Sequence, residues 1–380
     1  MNYRQIPRVN FQVSEIGLGC EHLEKKEKSL IDEVIGAALD GGINIMDVFM
    51  PQPEVRTHIG DAIRHARQKI YLQGHIGATL ENGQYKRTRD LPACETFIRD
   101  FMTRFHTDYI DIGMIHFVDN LEDWQVIETQ GVLDYAWQLK QKGIIRAIGL
   151  SSHEPVTALK AVQSGHIDVL MFSLNPSFDL LPEETQIEAL FERKTYDQGA
   201  SNGINPVRQQ LYETCAQLGV GITVMKTLAA GILLNPSISP FGAPLSVAQC
   251  EHYALTRPGV ASVLVGCVSA DQVNQALRYE VLSAEEKDYT AVLSASQRYI
   301  ANGACMYCNH CLPCPSGIDI GQTNRLHDQA SAGMTEALRA AYAALPVPAS
   351  DCISCGACEE RCPFGVPVPE YMQQTARLFE

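Results

Sequence analysis

The sequence has no uncharged apolar run approaching ~18 residues, so no segment reads as a transmembrane helix. Basic residues are in the minority: 30 Lys and Arg stand against 44 Asp and Glu, a formal net charge of -14. That balance argues against nucleic acid or an anionic membrane surface as the main partner. The opening MNYRQIPRVNFQ lacks the apolar core of a signal peptide, which predicts a cytoplasmic protein. A glycine-rich dinucleotide fingerprint is also missing. The turn after the first predicted strand reads GLGCEHLEKKEK, without the G-x-G-x-x-G spacing that an open doubly wound sheet would carry. Core-forming material is plentiful: 46% of the 380 residues are hydrophobic and 19% charged, enough for two or three ordinary globular domains.

Short β-branched runs fall at 13–20, 43–49, 70–77, 109–116, 144–152, 169–175, 221–227 and 262–267. Amphipathic segments follow them near 27–40, 53–66, 90–105, 127–141, 155–164, 204–217, 246–256 and 270–279. Eight such units predict an α/β fold, a closed (β/α)8 TIM barrel over residues 1–285. The long segment 176–203, after the sixth strand, would lie on the active-site face as a lid.

Cysteine carries most of the information. Cys20, Cys94, Cys215, Cys250 and Cys267 are scattered and read as small buried apolar residues. The other eight form two runs, Cys305-x2-Cys308-x2-Cys311-x2-Cys314-Pro315 and Cys352-x2-Cys355-x2-Cys358-x3-Cys362-Pro363. A cubane needs four thiolates converging on one small body, which cysteines at every third residue plus one distant cysteine supply. Zinc sites favour paired knuckles with a long gap. Disulfides fit poorly with a chain that lacks an export signal. The runs therefore predict two [4Fe-4S] clusters. Because the fourth cysteine of each ferredoxin run serves the other cluster, Cys362 would join Cys305, Cys308 and Cys311, and Cys314 would join Cys352, Cys355 and Cys358. The first run is one residue short before Cys314, which leaves the use of that residue open. The intervening Ala- and Leu-rich stretch predicts two helices, so residues 286–380 read as a small helical dicluster ferredoxin-like domain.

The stretches Val13–Gly19, Gly42–Asp47, Asp108–His116, Gly143–Ser151 and Gly219–Leu233 resemble an aldo-keto reductase, in that family's order, and the cysteine runs resemble the ferredoxin extension that some members carry. The resemblance implies an oxidoreductase with an Asp, Tyr, Lys and His set at the strand ends. A Tyr protonates the substrate oxygen there while nicotinamide delivers hydride. Asp47 and His116 match two of the four positions. Gln52 stands at the Tyr position and His75 at the Lys position. An amide can hydrogen-bond but does not ionise in this range. An imidazole can serve as an acid, and Asp47 would orient it.

Other strand ends supply Glu21, His22, Ser151, Ser152, His153, Asn175 and Lys226. Of these, Ser151, Ser152, Asn175 and Lys226 are candidates for holding a cofactor. Leu228, Gly231, Gly266 and Ser269 are candidates whose amides could receive a nucleotide phosphate. The position expected to be basic for a 2′-phosphate falls on Asp271 or Gln272, which offers that group no partner. Whether NAD(P)H, a flavin or the clusters alone supply electrons stays open.

The resulting expectation is an iron–sulfur oxidoreductase. Two clusters pass electrons between a carrier, such as a ferredoxin or flavodoxin, and a small oxygen-bearing organic substrate in the barrel, with Asp47, His75 and His116 managing protons and Gln52 beside them. The alternatives are an NAD(P)H-dependent carbonyl reductase with structural or sensory clusters, and a non-catalytic electron-transfer or redox-sensing module. No motif encodes the substrate, the direction of reaction or the oligomeric state.

Overall fold

The computed structural model describes residues 1–180, 203–296, 303 and 305–380. They divide into two compact units. Met1–Asp179, Val207–Asn235 and Leu245–Asp288 make one, and the described residues of Leu180–Pro206, Pro236–Pro244 and Tyr289–Glu380 the other. Among the described residues, no helix is long and apolar enough to cross a membrane.

The first unit opens with an antiparallel hairpin, β1 (Tyr3–Ile6) and β2 (Phe11–Ser14). The barrel strands are β3 (Ile16–Gly19), β4 (Ile45–Val48), β5 (Tyr71–Ile76), β8 (Ile110–Ile115), β9 (Ile145–Ser152), β10 (Val169–Ser173), β11 (Gly221–Met225) and β12 (Val260–Gly266), with a second hairpin, β6 (Ala78–Glu81) and β7 (Gln84–Arg87), inserted after β5. The eight barrel strands are parallel and close in the order β10-β11-β12-β3-β4-β5-β8-β9. Each coincides with one of the eight β-branched runs, and a helix follows each in the expected segments.

The lower interior is filled by side chains, as a closed eight-stranded barrel requires. Ile6, Phe11 and Val13 of the first hairpin join Ile45, Ile112, Met114, Ala147, Val169, Met171, Ala261 and Leu264 in one buried cluster. The hairpin thus closes one end of the barrel. Gly221 is required here, because a Cβ on it would stand 2.6 Å from Ile6.

The β6–β7 hairpin turns on Asn82 and Gly83, with φ of 53° and 76°, and pairs Glu81 with Gln84. Both central residues are left-handed, as the two-residue turn matching strand twist demands, and Asn-Gly is the dipeptide that adopts it most readily. At its base the Thr88 amide donates to the Gly77 carbonyl at 2.9 Å. Gly77 has φ 96°, and a Cβ there would stand 2.6 Å from the Thr88 carbonyl oxygen.

After β10 the chain forms a short helix, Pro176–Asp179; residues 181–202, the remainder of the predicted lid but for its last residue, lie outside the described residues. The turn is anchored by Asp179, which is fully buried. Its carboxylate accepts from Arg208 Nε at 2.8 Å, from the Tyr212 hydroxyl at 2.6 Å and from the Tyr253 hydroxyl at 2.9 Å. In the second unit, the helices Ile320–Ala332 and Glu336–Ala343 occupy the stretch between the cysteine runs, and Ala357–Arg361 and Val368–Phe379 follow.

Removing one partner of a buried ion pair leaves an uncompensated charge. Asp179→Ala should therefore destabilise the protein by about 3–5 kcal/mol, read as a lower urea midpoint, whereas a surface substitution such as Asp32→Ala should move it by less than about 0.5 kcal/mol.

Candidate active site

The rim formed by the C-terminal ends of the barrel strands gathers four titratable side chains into a single line. Asp47 on β4 and His75 on β5 are 3% and 2% exposed, and His116, just past β8, is 5% exposed. Asp47 Oδ1 lies 2.9 Å from His75 Nε2, and His75 Nδ1 lies 2.7 Å from His116 Nδ1. His116 Nε2 lies 2.6 Å from the hydroxyl of Tyr85, which comes from β7. Gln73 Nε2 also donates to Asp47 Oδ1, at 2.9 Å.

Proton positions in this line follow from its end. A carboxylate only accepts, so His75 carries its proton on Nε2. With that single proton on the ring, His75 presents Nδ1 as an acceptor, and His116 donates from Nδ1. That leaves His116 Nε2 with a lone pair, and the Tyr85 hydroxyl donates to it. Burial holds the His116 pKa well below 6.5, and the nearby His75, Arg89, His153 and Arg87 push it the same way. The ring is therefore neutral near pH 7, as the tautomer argument needs. Burial also raises the Tyr85 pKa, against the opposing charges of Arg87 and Arg89, while Glu21 adds to the rise. Phe49 stacks on His116 with centroids 5.4 Å apart and packs edge-on to Tyr85 at 6.0 Å.

Gln52, at the position of the family phenol, does not join this line. It caps the helix Pro53–Ile63, and its Oε1 is buried without a hydrogen-bond partner among the described residues. The phenol in the line is that of Tyr85 on the β6–β7 hairpin, which lies between the predicted third strand and its helix. Asn82-Gly83, flanked by ATLE and QYKR, was the available signal.

The other expected site residues lie around the same rim and are mostly engaged with protein. Ser151 Oγ accepts from the Phe117 amide at 2.8 Å, and Phe117 is held at φ 50°. Ser152 Oγ donates to Asp119 at 3.1 Å, and the Asp119 carboxylate also holds His153 Nδ1 at 3.0 Å. Asn175 Oδ1 accepts from Ser177 Oγ at 2.7 Å and the Phe178 amide at 3.0 Å, while its Nδ2 donates to the Lys226 carbonyl at 2.9 Å. Lys226, Ala229, Ala230 and Gly231 have φ of 60°, 48°, 53° and 86°, so the chain after β11 is left-handed on both sides of Leu228. Gly266 packs beneath His22, where a Cβ would stand 2.3 Å from the ring. Ser269 caps the next helix by accepting from the Gln272 amide at 3.3 Å, and Gln272 Oε1 takes the Val268 amide at 2.8 Å.

The five scattered cysteines are all buried. The tail cysteines fall into two groups. Cys305, Cys308, Cys311 and Cys362 line one pocket of about 320 Å³, with Tyr307, His310 and Asn324. Cys314, Cys352, Cys355 and Cys358 line another of about 350 Å³, with Ile318, Arg361 and Met372. Each pocket takes three cysteines from one run and one from the other. Burial pushes the Cys305 thiol up to about 11, opposed by the Asn324 side chain and the Tyr307 amide, and pushes Cys311 to about 12. Among the described residues, no three His, Cys, Asp or Glu side chains converge tightly enough to hold a single metal ion.

Residues 15–243, more than half of the chain, match the aldo/keto reductase family. The chain belongs to this family. Residues 304–367 match a 4Fe-4S dicluster domain. The protein is thus an oxidoreductase of the aldo-keto reductase superfamily with a 4Fe-4S dicluster domain in its tail. It is similar to the uncharacterized oxidoreductase YqkF of Bacillus subtilis (strain 168), at 28% identity over 292 residues, covering 72% of this chain and 90% of the relative. It is also similar to the aldo-keto reductase YhdN of the same organism, at 29% over 205 residues, covering 50% and 57%. Solved structures share the fold. Aldo-keto reductase AKR11C1 from Bacillus halodurans (holo form) superposes with a TM-score of 0.61 at 21% identity, covering 78% of this chain and 97% of that one. An aldo/keto reductase from Klebsiella pneumoniae in complex with NADP and acetate gives 0.52 at 18%, covering 75% and 93%.

The His116 shift has a consequence for stability. An unfolded histidine titrates near 6.5 and folded His116 well below that, so the unfolded chain binds the proton first. This contribution to stability is present above about pH 6.5 and is lost as pH falls toward the folded value. His116→Gln removes the linkage. Between about pH 7.5 and pH 5 the variant should lose less unfolding free energy than the parent, measured by urea titration at both pH values.

Proposed function

We propose that this protein moves electrons, through two [4Fe-4S] clusters in residues 286–380, to or from a small oxygen-bearing organic substrate held in the barrel of residues 1–285. The observation that carries this reading is the sorting of eight thiols into two pockets of four. Each cluster supplies one electron at a time when bound, so two of them match the two-electron change between a carbonyl and an alcohol. Cys305, Cys308, Cys311 and Cys362 would hold one, and Cys314, Cys352, Cys355 and Cys358 the other. Asn324 supports the fit. It is 1% exposed, it acts on the Cys305 thiol, and among the described residues its carboxamide has no other hydrogen-bond partner. An amide N–H directed at a cluster sulfur is one of the standard means of setting its potential.

A ferredoxin or flavodoxin would exchange electrons with the tail. In the barrel, Asp47, His75 and His116 would hold and move the protons that accompany them. A nicotinamide dinucleotide phosphate fits the chain poorly. The amides of Val268 and Gln272 are capped by the chain's own side chains, and Asp271 occupies the first turn where the 2′-phosphate would need a cation. A second reading, favoured by the phenol of Tyr85, is a carbonyl reductase that takes hydride from a nicotinamide without that phosphate, its clusters being structural or sensory.

Anaerobic purification with iron, sulfide and released-cofactor analysis tests the first reading. About eight irons per chain, and carbonyl reduction by dithionite-reduced protein without added nicotinamide, are expected. Stoichiometric zinc, or turnover only with a nicotinamide, would overturn it. Single Cys→Ser changes test the pairing: Cys314→Ser and Cys352→Ser should each abolish the same low-temperature EPR signal, while Cys362→Ser and Cys305→Ser abolish the other. Asn324→Leu should lower one of the two midpoint potentials in an EPR-monitored redox titration and leave the second in place.

A further inference from the structure

We infer that Tyr85, delivered by the β6–β7 hairpin, is the proton-transferring phenol of this barrel, and that the His116–His75–Asp47 line lets it exchange a proton with the substrate oxygen. The inference rests on the reading that a carbonyl and an alcohol interconvert at this rim, and it holds whichever source provides the electrons.

The first ground is geometric. A phenol oxygen 2.6 Å from an imidazole nitrogen is within proton-transfer distance, as are the next two contacts of the line at 2.7 and 2.9 Å. Tyr85 is also the member of the line that solvent and a ligand can reach. It is 43% exposed, while the other three residues are buried. With its hydrogen committed to His116, the phenol turns its lone pairs outward, where they can accept from a substrate hydroxyl.

The second ground is where charge ends up. When an alcohol gives its proton to the Tyr85 oxygen, the phenol hydrogen passes to His116 Nε2. The His116 Nδ1 hydrogen then passes to His75 Nδ1. At the Tyr85 oxygen one O–H bond forms and one breaks, so Tyr85 stays neutral, while the substrate's O–H bond breaks and its oxygen becomes that of the carbonyl. The positive charge ends on His75, already donating to Asp47. In the reverse direction the charged pair returns the proton and Tyr85 delivers it to the oxygen of the carbonyl. The overall change, carbonyl plus two electrons plus two protons to alcohol, takes one proton from this line. With a one-electron source the second, on carbon, comes from solvent; with a nicotinamide it arrives as hydride. A free phenolate is never required. This is how a phenol whose environment disfavours ionisation can still act near neutrality. The charged and titratable groups facing it are Arg87, Arg89, Glu21 and His116, with His75, His153 and Asp47 behind.

The surroundings also indicate the substrate class. Phe49 and Phe117 flank the line, Phe117 standing 36% exposed beside His153 with its ring 5.1 Å from the imidazole. Aromatic rings along the line, Phe49 stacked on His116 and Phe117 next to His153, suit a carbonyl carrying an aromatic or apolar substituent.

The test uses anaerobically purified holoprotein with 4-nitrobenzaldehyde and phenylglyoxal as carbonyl probes, supplied with electrons either by dithionite-reduced protein or by NADH and NADPH. Tyr85→Phe should cut kcat by about 10²–10⁴-fold while KM changes less than about threefold and the thermal midpoint is kept. His75→Gln, which leaves the Tyr85–His116 contact in place, should also lower kcat and should abolish the solvent deuterium effect on it. A merely structural phenol would move the melting temperature or KM instead. Full kcat in Tyr85→Phe, or a wild-type protein inert toward both probes with every electron source, overturns the inference. Turnover that needs a nicotinamide overturns only the electron-transfer reading, since Tyr85→Phe is then compared under that donor.

Discussion

A carboxylate taken out of water must be answered by donors, and Asp47 sits almost wholly inside the barrel rim. Gln73 and His75 answer it on the same oxygen. That requirement places a proton on His75 Nε2; with His75 singly protonated, His116 donates from Nδ1 and Tyr85 donates to His116 Nε2. Four side chains from four separate segments thereby acquire one orientation. The low dielectric around them strengthens each contact and would punish any that was left open.

The scaffold supports this with conformations a chain does not adopt freely. Phe117 follows His116 with φ 50°, and its amide is held by Ser151 while its carbonyl accepts from Arg87 and Arg89. The left-handed residues after β11 are tied to β10 through Asn175. Backbone strain of this kind costs on the order of 1–3 kcal/mol per residue and persists only where surrounding contacts over-determine it. The rim therefore spends part of the stability won in the lower cluster, where the first hairpin packs against the barrel floor. The residues expected to hold a cofactor are largely among those fastening these loops together.

Much of the architecture was legible because a parallel barrel buries its strands on both faces, and each then appears as a short β-branched run. Asp47, His75 and His116 could be placed at strand ends from those runs alone. Their meeting in one line could not, since it depends on strand register and on which ring nitrogen faces which neighbour. Tyr85 escaped for a different reason. Its hairpin is polar on most positions and lies outside the barrel, so it lacks the apolar pattern that marks a strand, although Asn82-Gly83 announced the turn. The first hairpin escaped similarly, because a plug is recognised only once there is a barrel to close. The cysteine runs were readable since their spacing is itself the ligand geometry, whereas the polar lining around Asn324 emerged only from the packing of helices.

The members of the rim line differ in how they are anchored. Three ride on barrel strands or directly follow one, and the stagger of those strands is locked by closure of the whole cylinder. The fourth rides on a two-stranded ribbon whose alignment is set by a two-residue bend. In such a ribbon, sliding one strand by a single position sends every side chain to the opposite face. The completeness of the rim line can thus be gained or lost through a surface appendage, with no disturbance to the core beneath it.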